Sequence, residues 1–103
     1  MSMTPEAARI RQNRMTLLKM LNMVYPGTLR GDSLLRNAIA MDPTYDRTLF
    51  ARDIDYLRER HLVMFVEEGI GLVGEPVGKR YIKLTPEGKD RADGITIDQT
   101  LEI

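Results

Sequence analysis

An α+β domain is what this chain predicts, with three helices followed by a β-hairpin and a short fourth helix, and three stretches predict it. Residues 46–63, DRTLFARDIDYLRERHLV, repeat apolar positions at helical spacing and then pass directly into a β-branched run that cannot continue the helix. Two β-rich runs, 62–67 and 79–84, flank a segment holding Gly69, Gly71, Gly74, Pro76 and Gly78, which is loop composition between two strands. Thr-Pro-Glu occurs at 4–6 and again at 85–87, each time joining a hydroxyl N-cap, a proline where the missing N–H costs nothing and a carboxylate against the helix dipole.

The first helix is expected over residues 5–24, with Ile10, Leu17, Leu18, Leu21 and Val24 as its buried stripe; Tyr25-Pro26-Gly27 stops it. A second helix starts at Gly31 or Asp32 and ends near Met41, with Leu34, Leu35, Ala38 and Ile39 inward. The third begins after the N-cap Asp46. Phe50, Ile54, Leu57 and His61 fall on its inner side, and Thr48, Arg52, Asp55, Tyr56 and Glu59 on its outer side. His61 stands at the break, where a helix-ending residue commonly turns left-handed and histidine tolerates it. Alternation turns Val63, Phe65, Ile82 and Leu84 toward the helices, and the fourth helix should end at Ala92 or Asp93 before Gly94. Residues 1–94 thus form one domain. Residues 95–103, ITIDQTLEI, alternate as an extended C-terminal tail with Ile95, Ile97, Leu101 and Ile103 on one face.

At 103 residues with 43% hydrophobic and 29% charged residues, the chain can hold one core and is not of disordered composition. Cysteine is absent, which removes disulfides, thiolate metal sites and a cysteine nucleophile, and fits a reducing cytoplasm. The N-terminus lacks an apolar signal core and no run approaches ~18 apolar residues, so a cytoplasmic chain without a membrane span is expected. His61 is the only histidine and has no His or Cys to join it in a metal site, and no nucleophile elbow or Lys-Ser/Thr phosphate loop occurs. The GIGLVG string at 69–74 runs into EPVG instead of a helix. No enzyme activity, cofactor or small-molecule ligand is therefore expected.

The order helix, helix, helix, strand, glycine-rich tip, strand, helix, with YLRERHLV followed by RYIKLTPEGKDRADG, resembles bacterial winged helix-turn-helix proteins. It is most similar to the small winged-helix proteins, about one hundred residues long, of Mu-like phages and prophages. His61 stands where that pattern usually has glycine. The resemblance implies a three-helix core with a β-hairpin wing, double-stranded DNA as the partner and a regulatory role in transcription. On that reading Arg47, Thr48, Arg52, Asp55, Tyr56 and Glu59 of the third helix meet the major groove, and Lys79, Arg80 and Lys83 at the wing base meet backbone. Replacing Arg52, Lys79 and Arg80 together should then weaken DNA binding and leave stability unchanged.

Two features argue for a second reading, a winged-helix protein-interaction module in a phage assembly or replication complex. The formal net charge is zero, and Asp55 and Glu59 sit four apart on the outward face, where they repel phosphate. One domain of this kind covers about one half-site, so a homodimer is also expected. Its contact would come from the first helix, through Ile10 and Leu17, and from the tail, through Ile95, Ile97, Leu101 and Ile103.

Overall fold

A computed structural model describes residues 4–66 and 76–94. Four helices cover one face of a small antiparallel sheet: α1 (Pro5–Asn22), β1 (Leu29–Arg30), α2 (Gly31–Met41), α3 (Arg47–Glu59), β2 (Val63–Phe65), a single 3-10 turn (Val77–Lys79), β3 (Tyr81–Leu84) and α4 (Pro86–Ala92). The strand order is β1-β3-β2.

Both Thr-Pro-Glu segments start helices as their chemistry requires, with Thr4 accepting from Ala7 N at 3.1 Å and Thr85 from Gly88 N at 3.0 Å. Asp46 caps α3 in the same way, accepting from Leu49 N at 2.9 Å. α1 stops two residues earlier than its apolar stripe suggests. Its end closes with i→i+3 bonds from Val24 N to Leu21 O and Tyr25 N to Asn22 O, and Val24 lies outside the core. Ile39 of α2 is likewise more exposed than its spacing predicts. His61 takes φ 61, the left-handed residue between α3 and β2, and is exposed instead of lining the inner stripe.

The inner sheet face is the expected one, since Val63, Phe65, Ile82 and Leu84 are all buried against Leu17, Leu18, Leu21, Leu34, Phe50, Ile54 and Leu57. Each such side chain contributes about 1.5 to 3 kcal/mol by leaving water. β2 pairs with β3 in the register Val63↔Leu84 and Phe65↔Ile82, over a shorter span than the sequence pattern suggests. β1 is new. Two residues pair with β3, Leu29↔Ile82 and Arg30↔Tyr81, and complete the sheet on its other edge. α4 seats against the start of β2 because Gly88 has no side chain, and a Cβ there would overlap the Leu62 carbonyl. Thr85 Oγ1 also donates to His61 O at 2.6 Å, tying the entry of α4 to the exit of α3. Among the described residues no helix is long and apolar enough to cross a membrane. The glycine-rich tip at 67–75 and the tail at 95–103 lie outside the described residues.

Candidate functional site

Two glycines bring a basic corner of the molecule together. A Cβ on Gly31 would overlap the Val77 carbonyl, and one on Gly78 would overlap the Asp32 carboxylate and come within 2.8 Å of Arg47 Nη1. The start of α2 therefore lies directly on the 3-10 turn, and Gly31 N donates to Arg80 O at 2.8 Å. Pairing of β1 with β3 delivers Arg30 to the same corner, and the first residue of α3 delivers Arg47. Arg47 Nη1 stands 3.6 Å from Asp32 Oδ1, and Arg30 Nη2 stands 3.7 Å from Asp32 Oδ2. Lys79, next in the chain after Gly78, is exposed. Two guanidinium groups, from β1 and from α3, flank one carboxylate, and their side chains stay 47% (Arg30) and 64% (Arg47) exposed.

On α3, Thr48, Arg52, Asp55 and Glu59 face outward as expected. Arg52 is not a free arm, since its Nε and Nη2 lie 3.1 and 3.0 Å from Asp53 Oδ1 on its own helix. Tyr56 departs from its expected place. It is half-buried, with the Arg14 guanidinium 3.8 Å above its ring and Arg60 at 5.3 Å, and its hydroxyl is buried with no hydrogen-bond partner. Arg80 departs too. It is 6% exposed with its guanidinium 4.1 Å from the Phe65 ring of β2, and Arg58 of α3 covers the same ring at 4.2 Å, so Arg80 is packed into the hairpin base and is not an outward wing contact. The expectation that replacing Arg80 leaves stability unchanged took the residue to be exposed, and its burial removes that premise. Lys83 is half-buried, paired in register with the exposed Met64.

Among the residues expected at a dimer contact, Ile10 is half-buried on α1, whereas Leu17 is fully buried in the protein's own core and offers no surface to a partner. Ile95, Ile97, Leu101 and Ile103 lie outside the described residues.

No family model matches the chain, and no curated protein and no solved structure matches it. The reading rests on geometry and charge.

A buried ionic cluster beneath α3 escaped the sequence reading. Asp53 is fully buried; its Oδ1 accepts from Arg14 Nε at 2.9 Å and from Arg52, and its Oδ2 accepts from the Tyr45 hydroxyl at 2.7 Å. Burial pushes the Tyr45 hydroxyl well above the ordinary tyrosine range, and its hydrogen bond to the Asp53 carboxylate adds to the effect. The signal was present as two charged residues on apolar stripes, Asp53 between Phe50 and Leu57 and Arg14 between Ile10 and Leu17. Arg14 belongs to α1 and Asp53 to α3, so their 2.9 Å contact ties the two helices together. An open hollow of about 490 Å³ lies beside it, between the first turns of α1 and Leu49 and Arg52 of α3.

The zero net charge divides unevenly along the chain. All fifteen Lys and Arg residues fall among the described residues, against ten Asp and Glu, a surplus of five positive charges. The remaining acids, Glu67, Glu68, Glu75, Asp98 and Glu102, lie outside the described residues.

Proposed function

We propose that this chain is a winged helix-turn-helix protein that binds double-stranded DNA, as a regulator of transcription, with α3 in the major groove and Arg30, Arg47 and Lys79 on backbone phosphate. The observation that carries this reading is the corner built on Gly31 and Gly78. It brings the exposed Arg30 of β1 and Arg47, the first residue of α3, to one carboxylate, with the exposed Lys79 next in the chain after Gly78, and phosphate contacts there would fix the register of α3. The element order and the β1-β3-β2 sheet are compatible with the fold, and the described residues carry five more basic than acidic side chains, charge that would attract phosphate. A second copy belongs to this reading, because one such domain spans about one half-site.

The test is a mobility shift on random-sequence duplex at ~50 mM salt with the full chain and with Arg30→Ala/Arg47→Ala/Lys79→Ala. Losing three charge-assisted phosphate contacts should weaken binding by at least about a hundredfold. The three side chains are exposed, so the melting temperature should hold. Equal binding by both proteins would remove the corner from the interface. One observation favours the protein-interaction reading instead, namely the exposed pair Asp55 and Glu59 on the outward face of α3, which adds no affinity for phosphate.

A further inference from the structure

Asp32 lies in the first turn of α2, where a carboxylate is favourable to the helix dipole, and its side chain is 38% exposed. It also sits between the two arginines of the basic corner. Its carboxylate is seated over Gly78, in the space a Cβ would fill, and its two oxygens face Arg47 at 3.6 Å and Arg30 at 3.7 Å. Those separations are well beyond the ~2.7–2.9 Å of a charge-assisted hydrogen bond, so both arginines are held by charge and remain exchangeable. A carboxylate with two oxygens between two guanidinium groups has the shape and charge of the anion the corner is proposed to receive.

We propose that Asp32 is a built-in competitor for DNA phosphate, an affinity-limiting residue that keeps Arg30 and Arg47 partly neutralised until a phosphate displaces it. The proposal rests on the DNA-binding reading above. An arginine shared with Asp32 delivers only part of its charge to the duplex, so it displaces fewer condensed counterions than a free one. Two consequences follow from the electrostatics. Removing the carboxylate charge should tighten binding, and it should make binding more sensitive to salt. Had Asp32 served to orient the arginines instead, its neutralisation would weaken binding, so the sign separates the two roles.

The experiment measures full-chain binding to a labelled random-sequence duplex by fluorescence anisotropy across ~50 to 200 mM potassium chloride. The proteins are wild type, Asp32→Asn, Asp32→Glu, Arg47→Ala and Asp32→Asn/Arg47→Ala, with Asp90→Asn on α4 as a surface-charge control. Asp32→Asn should bind about three- to tenfold more tightly at the low-salt end, the size of one or two exposed ion pairs. Its plot of log affinity against log salt should steepen by up to about one unit. Asp32→Glu should retain the restraint, Asp90→Asn should match wild type, and the gain from Asp32→Asn should shrink when Arg47 is already alanine. Unchanged or weaker binding by Asp32→Asn, at an unchanged melting temperature, overturns the proposal while wild-type binding leaves the DNA reading standing. If neither wild type nor Asp32→Asn binds, the DNA reading itself falls and takes this one with it.

Discussion

Asp53 puts a full charge where water does not reach, and the cost of that is offset only while Arg14, Arg52 and Tyr45 keep donating to it. Tyr45→Phe removes one donor from a buried carboxylate and should cost about 1.5 to 3 kcal/mol in urea unfolding at neutral pH. Its pH dependence is more telling. Because folding holds the Tyr45 proton above the ordinary tyrosine value of about 10, the unfolded chain releases that proton first. The contribution is therefore complete below pH ~10 and erodes as pH rises beyond it, and Tyr45→Phe should show a shallower alkaline decline than wild type. Equal declines would mean that another group governs alkaline stability. At the other end of α3, His61 holds a left-handed φ of 61 that glycine adopts without strain. His61→Gly should leave stability equal or raise it by up to about 1 kcal/mol, read from the same unfolding curves.

At the scale of elements, what sequence could deliver was local. Side-chain caps at Thr4, Asp46 and Thr85, the stop at His61 and the alternation of 63, 65, 82 and 84 each depend on a few neighbouring residues, and each stands in the structure as read. β1 was not legible, because two residues become a strand only by pairing with β3, some fifty positions away. The basic corner was hidden for the same reason: Gly31 and Gly78 read as ordinary helix-start and loop glycines until the fold presses one backbone onto the other. Arg80 looked like a wing cation because its burial against Phe65 depends on a strand partner, and Tyr56 looked outward because Arg14 of α1 covers it. Asp53 and Arg14 were legible in principle, since periodicity alone places both on buried stripes. The corner makes a prediction of its own. Gly31→Ala forces a Cβ into the Val77 carbonyl and should destabilise by about 1 to 3 kcal/mol. At a temperature where the variant is fully folded, its DNA affinity should still fall, because the packing that brings Arg30 and Arg47 together is disturbed. Lost stability with wild-type affinity would show that this packing has no part in binding.

For the whole molecule, the decisive quantity is where the charge lies. The described body carries five more basic than acidic residues, and the balancing acids sit at 67, 68, 75, 98 and 102. That surplus is the charge with which the described body would attract DNA. The most direct test is the salt dependence of wild-type binding to random-sequence duplex. Contacts from Arg30, Arg47 and Lys79 predict that log affinity falls with log salt at a slope of about −2.7 per subunit, or steeper if other cations take part. No binding at ~50 mM salt, or an affinity flat across the salt range, would contradict the account.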